Sequence, residues 1–130
     1  MSKLQTLGMP VGRVLIAFMF VMAGLDKIGG YAGTQGYMEA MGVPGALLPL
    51  VILLEVGAGL AIIVGWQTRW AALGLAGFCV VSGMLFHFKP DDQMQMIMLM
   101  KNFSIAGGFL FLFANGPGAY SLDNRQKAAA

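Results

Sequence analysis

Glu55 stands alone in an otherwise apolar stretch, PLVILLEVGAGLAIIVGW, residues 49–66. An ionised carboxylate at the centre of a bilayer costs at least about 2.5–3.5 kcal/mol unless it is paired or hydrated. Lys101, followed by Asn102, sits inside another apolar run. Asp26 and Lys27 close the first such run, His87 closes the third, and Arg13 lies within the first, nearer its start. A carboxylate among ammonium, imidazole and amide groups can cancel charge between helices. It can also move a proton, or bind the polar head of a ligand whose body rests among apolar side chains. At about 1.5 Å per residue from helix starts on one side, Glu55 lies about 13 Å deep and Lys101 about 10 Å deep. These two are expected to pair inside the bundle, with Arg13 either snorkelling to its own interface or reaching toward Glu55. The polar pocket read from sequence is Arg13, Asp26, Lys27, Glu55, His87, Lys101 and Asn102.

Other chemistries are narrowed by what the chain holds. Cys79 is the only cysteine, so no internal disulfide can carry electrons and no four-cysteine iron–sulfur cluster fits within one chain. His87 is the only histidine, which rules out bis-histidine haem and leaves a His/Met pairing only in principle. The methionines of DDQMQMIMLMK recur at a spacing of two. On a helix that spacing puts only Met94 with Met98, and Met96 with Met100, on common faces, which suits adaptable packing better than copper binding. Asp91 and Asp92 beside His87 read as a solvated turn rather than a metal site. No metal and no covalently bound cofactor is expected, and any redox group would be a quinone or belong to a partner.

The elements that must position these residues follow from composition. Of 130 residues, 58% are hydrophobic and 11% charged, and the mean hydropathy is +0.74. The charged share is under half that of ordinary soluble domains, and a soluble domain this small could not hide so much apolar surface. A net charge of +2 without a basic run gives no footprint for nucleic acid. Four apolar runs, about residues 9–28, 46–65, 70–88 and 94–114, each match the roughly 20 residues that cross a bilayer as a helix. Strand-like alternation over barrel-length segments is absent. The fold expected is all-α: a polytopic membrane protein, one four-transmembrane-helix bundle over residues 1–130. Val21 and Ala23 could mark a signal-peptide cleavage site, but the first run is longer than a typical signal core and contains Arg13.

Turn chemistry separates the runs. Gly29, Gly30, Gly33 and Gly36 break the chain, and the segment of about residues 29–45 reads as a loop. Pro49 fits a first helical turn, Gln67-Thr68-Arg69 makes a short link between antiparallel neighbours, and Asp91 or Asp92 can cap the fourth helix. The tail from Ser121 reads as polar and frayed. Small residues (Gly57, Gly59, Ala61; Ala72, Ala76, Gly77; Gly107, Gly108) permit close helix contact or a homo-oligomer face. Lys3, Arg13, Arg69, Arg125 and Lys127 fall toward one side, and Lys27 and Lys89 toward the other. The positive-inside rule then predicts both termini in the cytoplasm.

With these pieces in order, the chain resembles the DoxX family of bacterial inner-membrane proteins. The likeness rests on GRVLIAFMFVMAGLDKIGGYAGTQGYMEAMGVPG, LLEVGAGLAIIVGWQTRWAA and KNFSIAGGFLFLFANGPGAYSLD. Arg13, Lys27, Glu55, Gly65, Arg69 and the Gly116-Pro117-Gly118…Ser121-Leu122-Asp123 ending sit where the family pattern has them. The resemblance implies a four-helix inner-membrane protein. Some relatives are subunits of thiosulfate:quinone oxidoreductases, and others associate with thiol-redox or oxidative-stress enzymes. Three functions stay open: a quinone-binding or membrane-anchoring subunit of an oxidoreductase, a small transporter or binder of a lipophilic or small polar molecule, and a structural or assembly subunit without catalysis. Substrate chemistry would come from a partner redox protein. The other expected partners are the lipid bilayer and further copies of the chain.

Overall fold

The computed structural model describes residues 3–129, with side chains through Arg125. The side chain of Lys127, counted above for orientation, and Ala130 at the end of the tail lie outside the described residues. Six helices account for the secondary structure of the described residues: α1 (Lys3–Gly29), α2 (Tyr31–Ala40), α3 (Gly45–Val64), α4 (Thr68–Phe86), α5 (Gln93–Asn115) and α6 (Leu122–Ala129). Four of them, α1, α3, α4 and α5, are long and apolar enough to cross a membrane. Only 22–28% of their most apolar windows is buried inside the protein. Most of that apolar surface therefore faces outward, Leu4, Leu15, Trp70 and Phe111 among it, and needs lipid rather than water around it.

The expected runs are found with shifted ends. α1 begins at Lys3 rather than near residue 9, and Pro10 sits inside the helix. Two segments differ in kind. Residues 31–40 form a helix, not a loop, because Gly33 and Gly36 lie on an exposed face while Met38 is buried. The tail is helical from Leu122, where Ser121 Oγ accepts the Asn124 N–H at 3.1 Å as an N-cap. Asp92 is the residue that caps α5, accepting from Gln95 N at 3.2 Å.

The core lies where α1, α3, α4 and α5 meet: Phe20, Ile62, Leu75, Cys79, Ala106 and Phe109. Phe20 and Phe109 pack edge to face with centroids 5.4 Å apart. The α1–α3 seam is tight because each helix presents a glycine. A Cβ on Gly24 would lie 2.5 Å from Val56 Cγ2 and 3.3 Å from Glu55 Cβ, and one on Gly59 would lie 2.7 Å from Val21 Cγ2. Gly57, Gly77 and Gly107 make no such close contact.

α3 is irregular in a way that bears on Glu55. It opens with a 3-10 turn (Gly45–Leu47), continues as α-helix (Leu48–Leu53), widens into a π-helical turn (Leu54–Ala58), and returns to α-helix (Gly59–Val64). π-turns insert an extra residue and often accompany functional sites. This one contains Glu55.

A candidate ligand cavity and a polar clasp

Helical spacing brings the cavity together. On α1, Phe20, Ala23 and Lys27 recur three and four residues apart and share a face. Val51 and Glu55 do the same on α3, Phe78, Ser82 and Phe86 on α4, and Met98 with Lys101 and Asn102 on α5. All of these line one cavity of about 360 Å³, which Thr34, Tyr37 and Met38 of α2 cover. Tyr37 stacks on Phe86 with centroids 5.4 Å apart and planes 20° apart, so the added helix α2 is tied to α4 across the cavity.

Lys27 Nζ lies 2.8 Å from Glu55 Oε1. The Glu55 side chain is 4% exposed and that of Lys27 29%, so the carboxylate is enclosed while its cation keeps a path outward. Oε1 is offered no further hydrogen bond by the described residues. This pair corrects the expectation that Glu55 would meet Lys101 or Arg13. Depth counting assumed that all helices start at one plane. Gly24 sits beside Glu55 and Val56, so α1 rises only five residues, about 7.5 Å, above that level to Gly29, whereas α3 rises ten, about 15 Å, to Gly45. α2 fills the step, with Gln35 Nε2 donating to Gly45 O at 3.2 Å. Lys27, one turn beyond Gly24, is thereby placed over Glu55.

The remaining polar groups divide. Asn102 Nδ2 donates to the carbonyl of Cys79 at 3.2 Å. His87 Nδ1 lies 2.7 Å from Gln95 Oε1. The Nδ1–H tautomer of the neutral ring suits an acceptor oxygen there. Lys101 lines the cavity and is offered no ion-pair or hydrogen-bond partner by the described residues. Asp26 is exposed and does not line the cavity: it follows Leu25 onto the outward face while Lys27 turns inward. Among the described residues no group of three or more His, Cys, Asp or Glu is placed to hold a metal.

Arg13 belongs to the opposite end, correcting its place in the pocket. It is 3% exposed. Its Nη1 donates to Ile62 O at 3.3 Å and Ile63 O at 3.5 Å, and its Nη2 to Tyr120 O. These carbonyls lie where α3 ends and the chain after α5 passes over it; Ile62 O also accepts from Gly65 N at 3.1 Å. Gly65 terminates α3 in the left-handed region at φ +77°, and its carbonyl accepts from Asp123 N at 2.7 Å. The Asp123 carboxylate accepts from Gln67 N at 2.7 Å and Thr68 N at 2.9 Å, capping the start of α4 from another helix. Burial, the largest single influence on this carboxyl, pushes its pKa up. The hydrogen bonds from Thr68 and Gln67 and the nearby Arg13 charge together outweigh it and hold the pKa below the ordinary value.

Arg69 packs beside Gly116, which holds φ +80°. Arg13, Gly65, Arg69, Gly116, Ser121 and Asp123 thus form one clasp fastening the C-terminal segment to the α3–α4 turn. The larger cleft here, about 560 Å³, is lined by Asp123, Gln67 and Thr68, which already bond to one another, so it serves this junction. Sequence reasoning missed the clasp as a unit. Its signal was Ser121 three residues before Asn124, a capping spacing.

Comparison with known proteins agrees with this architecture. The DoxX family matches residues 8–88. The inner membrane protein YqjF of Escherichia coli (strain K12) is 55% identical over 123 residues, covering 95% of both chains. The inner membrane protein YphA of the same organism is 35% identical over 122 residues, covering 88% of this chain and 87% of that one. No solved structure matches. With the family matched across most of three spanning helices and one relative matched almost end to end, the chain belongs to the DoxX family of integral membrane proteins.

Proposed function

We propose that this chain is an inner-membrane subunit that holds a quinone, or another hydrophobic molecule with a hydrogen-bonding head, in the cavity between α1, α3, α4 and α5, and so serves an oxidoreductase whose catalytic groups lie on a partner protein. The observation that carries the reading is the Lys27–Glu55 pair opening into an apolar cavity of about 360 Å³. That volume falls at the lower end of small-molecule sites, enough for a substituted ring and the start of its tail. Phe20, Phe78, Phe86, Met19 and Met98 supply flat and adaptable walls. Lys27 and Lys101 line the same cavity and are able to donate to carbonyl oxygens. A quinone, when bound, would supply electron transfer. The chain's own groups would orient the ring, exclude water and carry protons, Glu55 and His87 Nε2 being able to accept them. Both relatives named above are inner membrane proteins, which supports the same membrane here.

The test is quinone binding to detergent-purified protein, wild type against Glu55→Gln, which keeps the side chain's shape. Saturable binding that weakens on removal of the carboxylate is expected. Equal binding by both proteins, or none by either, would mean that the pair serves only to join α1 to α3.

In the same reading both termini and the clasp face the cytoplasm, and the cavity opens toward the outer side. Lys3, Arg13, Arg69 and Arg125 lie at the clasp end, against Lys27 and Lys89 at the other. A C-terminal alkaline phosphatase fusion should be inactive and a fluorescent protein fusion bright; the reverse pattern would invert the orientation.

A further inference from the structure

We propose that the cavity selects an anionic head: its ligand is a lipophilic weak acid, entering neutral from the bilayer and held as the anion against Lys101. This rests on the reading of the cavity as a ligand site and narrows the chemistry of what it takes. The argument begins with charge. Three ionisable groups of fixed sign line the cavity: Lys27, Glu55 and Lys101. Lys27 and Glu55 cancel at 2.8 Å. Lys101, an exposed residue on the cavity wall eight residues, about 12 Å, along α5 from Gln93, is left over. Ammonium groups at such depth pair with a counter-charge or reach water, and the described residues bring no carboxylate to this one.

Its polar neighbours carry no counter-charge. The amide nitrogen of Asn102 is spent on the Cys79 carbonyl, His87 is turned to Gln95, and Ser82 Oγ donates to Cys79 O at 3.5 Å. The cavity is therefore one negative charge short of neutral, and its aromatic and methionine walls fit the apolar body of the molecule that brings it.

The route of entry follows from the surface around it. The exposed charges at this end are Asp26, Glu39, Asp91 and Asp92 against Lys89 and Lys101 itself. That acidic rim repels an anion arriving from water. A weak acid avoids the barrier by partitioning into lipid with its O–H intact. In the cavity the O–H bond breaks, the electron pair stays on oxygen beside Lys101, and the proton leaves to the aqueous side. Acidic hydroxyquinones and long-chain carboxylic acids share this chemistry.

The experiment compares three probes on purified protein at neutral pH: 2-hydroxy-1,4-naphthoquinone, which is ionised, its neutral 2-methoxy analogue, and a fluorescent long-chain carboxylate. Wild type should prefer the hydroxy over the methoxy compound by on the order of tenfold, the scale of one hydrogen bond to a charged group. That ratio should fall to about one in Lys101→Met, with Lys101→Gln as the second variant should the first not fold. Equal affinity of wild type for the two naphthoquinones overturns the charge selection while leaving the quinone reading standing. Binding of the carboxylate alone, lost with Lys101, keeps the charge selection and removes the quinone. Binding of none of the three overturns both.

Discussion

The two ends of the bundle hold the same kinds of residue in opposite conditions. At the clasp, the two Nη groups of Arg13 and the Asp123 carboxylate bond to backbone, carbonyls of residues 62, 63 and 120 and amides of residues 67 and 68, and only Arg13 Nε is without a partner there among these groups. At the cavity, Glu55 meets a lysine and no backbone group, and Lys101 meets nothing fixed. A polar group that satisfies orphaned helix ends is part of the fold. One that faces a cavity with capacity to spare is available to a ligand. Burial does not separate the two cases, since Arg13 and Glu55 are each 3% exposed. What they bond to does.

The strongest way to break the contrast is Arg13→Met. It should remove bonds to three carbonyls at the α3 end and the C-terminal segment at once; Ile62 O keeps Gly65 N as a donor, and Ile63 O and Tyr120 O lose their Arg13 partner. Each buried acceptor left unpaired costs roughly 1–3 kcal/mol, so a loss of about 2 kcal/mol or more is expected. Thermal unfolding in detergent should drop sharply and proteolysis should begin after Asn115. A variant as stable and protease-resistant as wild type would mean that the clasp is not holding the fold.

Glu55→Leu should cost less. Loss of one partner from a fully buried ion pair costs about 3–5 kcal/mol in soluble proteins, but Lys27 is 29% exposed and can turn outward. A loss of about 1–3 kcal/mol is expected, recovered in large part by Lys27→Met in the same protein. If the double variant is no more stable than Glu55→Leu alone, the pair is not coupled across the α1–α3 seam. If it is as stable as wild type, the charges are dispensable for the fold and their retention points to a ligand.

How much of this was legible beforehand follows the same division. Four spans, a cap by Asp91 or Asp92 and an inward Glu55 can be read along the chain, because hydropathy over 20 residues and capping by Asp are local signals. The Lys27 partner cannot. It depends on the stagger of α1 against α3, set by Gly24 seating against Val56, Gly59 against Val21, and α2 filling the step. Five of the seven pocket residues read from sequence, Lys27, Glu55, His87, Lys101 and Asn102, line the cavity. Arg13 and Asp26 do not, since helical rotation and the end at which a side chain emerges are tertiary facts. The clasp was present as pieces, Gly65 and the Gly116-Pro117-Gly118…Asp123 ending, whose convergence requires the turn after α5 to fold back on the turn after α3.

The smallest effect, and the one that sharpens the comparison most, is the pH response of Asp123. Its carboxyl is held below the ordinary value of about 3.9, so on acidification the unfolded chain takes up the proton before the folded one does. The carboxylate's stabilisation is complete above about pH 5 and is lost as the pH falls through the ordinary value and on through the folded one. Asp123→Asn keeps an acceptor oxygen but no charge, so at neutral pH it should be less stable than wild type by about 1 kcal/mol or less, the scale of a helix cap. That gap should close toward pH 3. Following the difference between the two proteins, rather than either alone, removes the other carboxylates, which titrate in both. A gap that stays constant from pH 7 to pH 3 would mean that Asp123 caps α4 by shape and not by charge, and Arg13 would then hold the clasp through its carbonyl contacts only. Probe binding at the cavity should be unchanged by Asp123→Asn at neutral pH, because the two ends share no hydrogen bond among the described residues; a parallel loss of binding would show that the clasp sets the helix positions the cavity depends on.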